Sequence, residues 1–359
     1  MPHDTRSRKK MRKTLNTSIR GWRHQKSKFD QSKWSLDMAR CDRSHPDARN
    51  FGLGARDMSR AGLHALREGM QSHSSIATMA DRWASFAAWA RDEGIRDMRQ
   101  IETSHLRDYA THLIERLDRG EISPATAQNL LSAVNRTIEI ARGDRAVRLD
   151  PVREAGLPTR TGIATTDRAL PLSQHDNALA TLPERLAAIL ALQRELGLRF
   201  EEAAKMDAVR ALAQAKNGTV HIEAGTKGGR SRDIAITRLI PQRFALANAA
   251  MIQGADRSMI PRQQSYRAFR VEAYAALRAA GIQSHSERHA YAQDRYAVLV
   301  GAPCPVAAGV AHGADHHRFL AANLGINVAA ARTLDQQARL QVASELGHGR
   351  IDVTHSYLG

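Results

Sequence analysis

The feature that most constrains the fold of this 359-residue chain is the stretch between Gly143 and Leu170, which has no apolar period. It combines five arginines with two prolines and two further glycines, and prolines and glycines interrupt helices and strands. Such a stretch contributes little to a hydrophobic core, so we expect the chain to fold in separate parts on either side of it. The sequence therefore predicts two domains joined by a basic, extended linker over residues 146–170.

The part ahead of the linker shows apolar residues at helical spacing. A first segment, from Ile76 to Ala90, is ended by Gly94, and a second begins at Thr103, a suitable N-cap. A third begins at Ser123-Pro124, because proline is favoured in the first helical position. These segments predict a compact helical bundle over residues 71–145. Its aromatic residues are assigned to the core rather than to a base-stacking platform: Trp83, Phe86 and Trp89.

The second domain, from residue 171 to residue 359, is helical in pattern except around one glycine-rich turn. Val220 and Ile222 alternate with polar residues before this turn, and Ile234 and Ile236 do so after it. This alternation is typical of a β-hairpin. The predicted fold class is therefore mainly α with a small β-hairpin or sheet.

The charge of the chain indicates a polyanionic partner. The 53 Lys and Arg exceed the 37 Asp and Glu by 16, and residues 1–60 alone hold 16 basic against 6 acidic residues. We therefore interpret residues 1–70 as a basic N-terminal arm that could bind DNA. Its basic segments lack the apolar face of a membrane-surface helix, so nucleic acid is favoured over a membrane.

The sequence predicts a cytoplasmic protein. No apolar stretch follows the basic start as in a secretory signal, and the longest apolar run, residues 297–311, is broken by glycine and proline. The two cysteines, Cys41 and Cys304, lie far apart without metal-ligand spacing. This pattern suits a reducing compartment and argues against a disulfide framework.

Residues able to carry phosphodiester chemistry follow one another through the second domain. Taken singly, Arg199 could be a solvated surface residue and Lys227 a turn residue; their joint order is the informative signal. In chain order the candidates are Arg199 with Glu202, Lys227 at the hairpin tip, His285, Arg288 and His289 in the motif HSERHAYA, and His348 followed nine residues later by Tyr357.

This order and spacing resemble the tyrosine recombinase family, also called the phage integrase family. The resemblance covers roughly residues 75–359, including Leu-Gly-His before the tyrosine and Ala292 after the His-x-x-Arg-His motif. It implies an N-terminal helical core-binding (SAM-like) domain and a mixed α+β catalytic domain. It also implies an enzyme that cleaves and rejoins DNA through a 3′-phosphotyrosine.

The resemblance assigns roles that suit the residue types. Tyr357 would be the nucleophile, and it needs a neighbouring base or cation because a free phenol has a pKa of about 10. Arg199 and Arg288 would hold the phosphate, since guanidinium forks match phosphate oxygens. The remaining roles are protonation of the leaving 5′ oxygen by Lys227, help with the tyrosine proton by His285, a hydrogen bond to phosphate from His348, orientation of the first arginine by Glu202, and packing or hydrogen bonding by His289. No cofactor and no metal are expected, because arginines take the place of a cation.

The sequence departs from the family pattern in two places. About 60 residues separate Arg288 from His348, and we interpret residues 301–335 as an insertion that could contact DNA, contact a neighbouring protomer or extend a loop. Few residues follow Tyr357, so we expect protomers to be coupled without a long tail. Within the insertion, HGADHH could supply metal ligands (His312, Asp315, His316, His317), but a polar loop or solvated helix end is favoured.

The favoured function is a site-specific recombinase or integrase of a mobile element, acting as a homo-tetramer on double-stranded DNA. An accessory factor that bends DNA or sets direction is a further expected partner. Three alternatives stay open: a chromosome-resolution recombinase, a type IB topoisomerase-like enzyme, and a DNA-binding regulator without activity.

Overall fold

The structure is a computed structural model that describes residues 48–359. It separates into two compact units, one ending at Arg160 and the other beginning at Thr161. Most of the predicted basic arm lies outside the described residues. The division between the units falls inside the segment interpreted as a linker.

The N-terminal unit is a helical bundle. Trp83 is fully buried at its centre, and its indole N–H donates to the carbonyl of Met58 at 2.7 Å. Phe86 and Tyr109 pack edge to face against each other in the same core, so the aromatic residues here serve packing. The helices are α1 (Met58–Gly69), α2 (His73–Asp92), α3 (Thr103–Asp118) and α4 (Pro124–Arg142), with 3₁₀ turns at Arg49–Gly52 and Met98–Gln100.

This unit extends further at both ends than the predicted range of residues 71–145. Helix α1, placed in the arm by the sequence analysis, buries Ala61 and Leu66 against the bundle. After α4, Leu149 and Leu157 are buried in the same core, and the Asn135 side chain hydrogen-bonds both the N–H and the carbonyl of Leu149. The first half of the predicted linker is therefore docked on the bundle by isolated leucines that form no periodic pattern.

The C-terminal unit is helical except for one antiparallel pair of strands, as predicted. Val220 pairs with Ile234 in the ladder, and both side chains are buried. The elements are α5 (Leu172–Thr181), α6 (Glu184–Leu196), α7 (Phe200–Lys205), α8 (Ala208–Ala215), β1 (Thr219–Ile222), β2 (Arg232–Ala235), α9 (Leu239–Gln253), α10 (Tyr266–Ala279), α11 (His285–Val300), α12 (Pro305–Ala308), α13 (Ala314–Leu324), α14 (Val328–Glu345) and α15 (His355–Leu358).

The C-terminal unit has two hydrophobic cores, one that contains Leu190 and Val220 and one that contains Tyr296 and Leu346. Helix α11 joins them through buried polar contacts. On one side, Glu287 accepts from Arg194 of α6 at 3.0 Å and contacts His175 of α5 at 2.6 Å. On the other side, Tyr291 donates to Glu345 of α14 at 2.9 Å, and Arg295 binds the same carboxylate with two nitrogens. A helix held from both sides in this way can fix its side chains precisely in space.

The segment interpreted as an insertion folds into helices rather than a loop. Leu320 of α13 and Ala331 of α14 are buried in the same hydrophobic cluster as Tyr357 and Leu358. His316 is also buried, at 1% exposure, so the interpretation of HGADHH as a solvated loop or helix end does not hold for this residue. The insertion therefore packs against the part of its own unit that carries Tyr357.

In the described range, 48–359, no helix is long and apolar enough to cross a membrane.

The close approach of α1 to α2 gives a test of the first core. A Cβ atom on Gly62 would lie 2.0 Å from the indole nitrogen of Trp83, so Gly62→Ala should displace the indole. We expect the free energy of unfolding to fall by about 1–3 kcal/mol, measured by urea denaturation. Arg67→Ala, on the exposed side of the same helix, should change it by less than about 0.5 kcal/mol. Equal stability of Gly62→Ala and the wild type would contradict this packing.

Candidate active site

A buried carboxylate, Glu202 of α7, organises the first part of the site. Arg199 precedes the helix, and both its backbone N–H and its Nη1 donate to Glu202 at 2.8 Å. Burial disfavours the charged carboxylate, but hydrogen bonds and the charge of Arg232, with Arg199 and Arg288 nearby, hold the pKa of Glu202 at about 2. Glu202 is therefore ionised at neutral pH and fixes the first arginine.

Arg232 is the second cation on this carboxylate. Its Nη1 and Nη2 each donate to Glu202 at 2.8 Å, and its Nε donates to the carbonyl of Glu345 at 2.9 Å. It also packs against Gly347, where a Cβ atom would lie 2.8 Å from the Arg232 Cδ. Arg232 thus ties the hairpin, α7 and the end of α14 together at one point.

Arg232 was not among the residues predicted from the sequence. The sequence does contain a signal for Arg232. Arg232 and Ile234 are two residues apart in β2, so their side chains lie on the same face of the strand, and the side chain of Ile234 is buried. An arginine at an inward-facing strand position requires a buried anionic partner. Of the charged residues in the hairpin, only Lys227 was singled out, because the alternation was applied to the apolar residues and not to the arginines.

Arg288 of α11 is fully buried and meets the same group from the other side. Its Nη1 donates to the carbonyl of Gly197 and lies 3.9 Å from Glu202, and its Nη2 donates to the carbonyl of Leu346. Burial lowers the pKa of Arg288 to about 10, so it remains a cation at neutral pH. Gly197 has a positive φ of 61°, and a Cβ atom there would meet the ring of Tyr291 at 2.5 Å, so this backbone approach requires glycine.

Tyr357 places its hydroxyl between His285 and Arg288. The hydroxyl lies 3.1 Å from Nε2 of His285 and accepts from Nε of Arg288 at 3.4 Å. The tyrosine ring is 6% exposed and packs against His289 with ring centroids 4.7 Å apart. A phenol that has a hydrogen-bond acceptor on one side and a cation on the other is suited to lose its proton.

The histidines around the tyrosine are held neutral. Burial, with help from nearby arginines, lowers the pKa of His289 to about 4 and that of His348 to about 3. The pKa of His285 is lowered by the same two effects, although the residue keeps an exposed edge. Neutral imidazole has one free lone pair, so His285 can accept the tyrosine proton.

The protonated nitrogen of His348 can be identified from its neighbours. Arg288 Nη2 lies 3.3 Å from Nε2 of His348, and because arginine only donates, Nε2 must be the acceptor. The proton of the neutral ring is therefore on Nδ1. This nitrogen is buried without a hydrogen-bond partner among residues 48–359, so it is a donor that no acceptor of the described chain satisfies.

Lys227 lies outside this cluster. It occupies the exposed 3₁₀ turn Lys227–Gly229 between β1 and β2 and makes no hydrogen bond or ion pair with another residue of the described part of the chain. The base of the hairpin is close to the cluster, because a Cβ atom on Gly225 would meet the backbone of Glu201 at 2.6 Å. Lys227 is thus at the tip of a hairpin whose base lies beside the site.

Taken together, the structure brings together Arg199, Glu202, His285, Arg288, His289, His348 and Tyr357 of the predicted set, adds Arg232, and leaves Lys227 apart. Three arginines around one carboxylate give a net charge of +2 with neutral histidines. Across residues 48–359, no group of three or more His, Cys, Asp or Glu is arranged to hold a metal. The arrangement is suited to a singly charged oxyanion that gains negative charge during reaction.

Sequence comparison agrees with this interpretation. Residues 159–294 match the family model described as Integrase, a range that includes Arg199, Lys227, His285 and Arg288. A search of curated proteins finds no match.

Comparison with solved structures gives likenesses of fold. The structure of a variant of the Tn1549 transposon integrase in complex with circular intermediate DNA is 12% identical, with 85% of this chain and 96% of that chain covered and a TM-score of 0.50. Structures of the XerH recombinase on difH DNA and of a lambda integrase tetramer on a Holliday junction are 12% and 16% identical. They cover 84% and 81% of this chain and 79% and 83% of theirs, with TM-scores of 0.49 and 0.45. At 12% identity, the Tn1549 likeness establishes the fold, which confirms the predicted fold class.

The neutral histidines predict how stability depends on pH. Their pKa is about 6.5 when unfolded and about 3 to 4 in the folded site, so between these values the unfolded chain binds more protons. The free energy of unfolding should therefore be constant above about pH 7 and fall as the pH is lowered from 6.5 towards 4. Urea denaturation at several pH values measures this slope.

His348→Gln should flatten that slope, because it removes one group that titrates only on unfolding. Gln337→Ala, at an exposed position of α14 that does not titrate, is the control and should keep the wild-type slope. A slope unchanged by His348→Gln would mean that His348 is not held neutral in the folded protein.

Proposed function

We propose that this chain is a tyrosine recombinase of the integrase family, which cuts and rejoins double-stranded DNA at specific sites through Tyr357. The match of residues 159–294 to the Integrase family model supports the proposal. The observation that carries the proposal is the position of the Tyr357 hydroxyl, within hydrogen-bond distance of both His285 and Arg288. No other hydroxyl in the described residues has both a neutral histidine and a buried arginine as partners.

In the cleavage step, the oxygen of Tyr357 attacks the phosphorus and the bond from phosphorus to the 5′ oxygen breaks. The tyrosine proton passes to Nε2 of His285, and the 5′ oxygen takes a proton from Lys227 as it leaves. The product is a 3′-phosphotyrosine and a free 5′ hydroxyl. Because the phosphoester bond is kept in the adduct, the reverse attack by a 5′ hydroxyl can reseal DNA without a nucleotide cofactor.

Charge stabilisation comes from the arginine cluster. A phosphodiester carries one negative charge and gains a second in the transition state, which the net charge of +2 balances. Arg199 is the most accessible of the three, and its Nε and Nη2 are not engaged by Glu202. The donors of Arg288 are occupied by two carbonyls, Tyr357 and His348, so a phosphate oxygen would replace one of these contacts, while Nδ1 of His348 supplies a further donor.

Lys227 reaches the leaving group through movement of the hairpin tip. Its exposed position on a glycine-flanked turn leaves the ammonium free of internal partners and able to follow bound DNA. In this proposal, DNA binding brings the acid to the site, and Lys227 acts only when a strand lies between the hairpin and α7.

The partners follow from the same chemistry. Strand exchange between two DNA sites needs four active tyrosines, so we propose a homo-tetramer on DNA, and the lambda integrase structure is such a tetramer on a Holliday junction. The +10 charge of residues 1–60 supports an arm that binds DNA outside the exchange site. A mobile element is the proposed setting, supported by the match to the integrase family, with an accessory factor setting direction.

Covalent trapping tests the nucleophile. The full chain is incubated with a pool of nicked duplexes of random sequence, in which cleavage releases a short fragment and prevents resealing. We expect a denaturant-resistant DNA adduct, with the nucleotide mapped to Tyr357 by peptide mass spectrometry. Tyr357→Phe should form none, whereas Tyr274→Phe, at a partly exposed tyrosine of α10, should behave as the wild type.

Two results would count against the proposal. An adduct formed by Tyr357→Phe would move the nucleophile elsewhere, and normal binding of DNA without any adduct would favour the regulator. Relaxation of supercoiled plasmid by a monomer, without strand exchange, would favour the topoisomerase instead.

Arg232 should act as a positioning residue. Arg232→Lys keeps the charge but loses the two-nitrogen contact with Glu202, so Arg199 and the end of α14 lose their common anchor. We expect adduct formation to slow by about 10²-fold, with DNA affinity changed much less. Arg230→Lys, on the exposed turn, is the control; equal slowing by both variants would remove the special role of Arg232.

A further inference from the structure

A second cationic cleft lies on the C-terminal unit outside the proposed site. It has a volume of about 270 Å³, and it lies between α14, the start of α13 and the segment just before Tyr357. A water molecule takes about 30 Å³ of liquid, so the cleft can hold a polyatomic ion with part of its hydration. We call it the histidine cleft, and its relevant residues are His312, His317, Arg332, Asp335, Arg339 and His355.

Arg339 is the residue in the histidine cleft that requires explanation. It is 3% exposed, and its Nε donates to both oxygens of Asp335 at 3.0 Å. Its Nη1 and Nη2, however, are buried without a hydrogen-bond partner among residues 48–359. A buried guanidinium with two free nitrogens is costly unless an acceptor from outside the chain meets it.

Asp335 is the only carboxylate that lines the histidine cleft, and it cannot also accept from Nη1 and Nη2 of Arg339. Asp335 already accepts from Arg339 and from the hydroxyl of Tyr296 at 2.5 Å, and His316 and His317 lie 3.7 and 3.5 Å from it. With the exposed Arg332 included, two arginines face one carboxylate, so the histidine cleft has a net charge of +1 before any histidine is protonated.

Three histidines line the histidine cleft together with the arginines. His312 and His355 lie with ring centroids 4.5 Å apart, and Nδ1 of His312 hydrogen-bonds the carbonyl of Gly359 at 2.9 Å. Burial, followed by the charge of Arg339, lowers the pKa of His312, so its ring is neutral at pH 7 and its single N–H is the one donated to Gly359. The imidazoles of His317 and His355 therefore remain as possible donors to a bound anion.

We propose that the histidine cleft is a second anion site, which binds a phosphate group through Arg332, Arg339 and the imidazoles of His317 and His355. A planar arginine fork and nearby imidazole N–H groups are matched to the tetrahedral oxygens of phosphate. The phosphate can belong to the DNA backbone or to a free phosphate ion.

The position of the histidine cleft gives such binding a consequence for the first site. Ile351 and His355 line the cleft, and Tyr357 follows two residues later in the same short segment. An anion held there would join α14 to the segment that carries the tyrosine. Binding in the histidine cleft should therefore order the tyrosine segment without touching the reacting phosphate.

Imidazole resonances of the full chain test the proposal. The protein is labelled with ¹⁵N-histidine, the signals are assigned with single His→Gln variants, and inorganic phosphate is titrated at constant ionic strength set with chloride. We expect saturable shifts of His317 and His355. Arg332→Gln should raise the phosphate concentration at half-saturation by about fivefold or more.

Two further variants sharpen the test. Arg339→Lys keeps the ion pair with Asp335 but loses the free nitrogens, so its saturable shifts should disappear while the melting temperature stays near that of the wild type. Arg318→Gln, an exposed arginine of α13 paired with Asp315, removes the same charge outside the histidine cleft and should titrate as the wild type.

The source of the phosphate is distinguished by adding a mixed-sequence 30-base-pair duplex. Loss of the free-phosphate shifts would assign the site to the DNA backbone, and their persistence would assign it to a free anion. Shifts confined to His285, His289 and His348 would overturn the proposal, because phosphate would then enter only the first site. Equal weakening by Arg318→Gln, or shifts produced by Zn²⁺ in place of phosphate, would overturn it as well.

Discussion

The ionised carboxylate of Glu202 is the interaction on which the rest of the candidate site depends. An isolated buried carboxylate would be costly, and Glu202 is stable only because Arg199 and Arg232 hydrogen-bond it and Arg288 lies close by. The reverse dependence is equally strong, since three guanidinium groups this close together would repel one another without the carboxylate between them. The cluster is therefore assembled as a unit, and its surplus of positive charge is already fixed before any DNA arrives.

Helix α11 fixes the position of the charge cluster relative to Tyr357. Its first turn presents His285 and Arg288 to the tyrosine, while Glu287 on the opposite side is anchored to α5 and α6. The later turns anchor to α14 through Tyr291 and Arg295. The distances around the Tyr357 hydroxyl thus depend on packing that extends across both cores of the unit, which explains why a helix with so many polar residues is buried along much of its length.

The parts of the site that could be predicted from the sequence are those fixed by local spacing. His285, Arg288 and His289 share one turn of a helix, and Arg199 and Glu202 meet across the first turn of α7, so their proximity follows from helical geometry. Arg232 lies in β2, and its partner Glu202 is thirty residues away. Only the position of Arg232 on the buried face of the strand could have indicated its role. The extent of the N-terminal unit was missed for two reasons. Helix α1 buries a helical stripe made mostly of small residues, Met58, Ala61, Gly62, Ala65 and Leu66, which was overlooked within the basic arm, and Leu149 and Leu157 are buried without any periodic pattern. The burial of His316 depends on tertiary contacts with Pro303 and Asp335 that no local pattern encodes.

The low exposure of Tyr357 has a consequence for when the proposed cleavage can occur. Its hydroxyl is enclosed by side chains, and Leu358 beside it is buried in the same cluster as Leu320 and Ala331 of residues 301–335. Gly359 is also buried. In the proposed reaction, a phosphodiester would approach the phenol in line only after the short turn that carries Tyr357 shifts, and part of the free energy of DNA binding would be used for that movement. On the proposed function, protein without DNA would thereby be protected from forming unwanted adducts, and strand cleavage would be coupled to binding of the whole duplex.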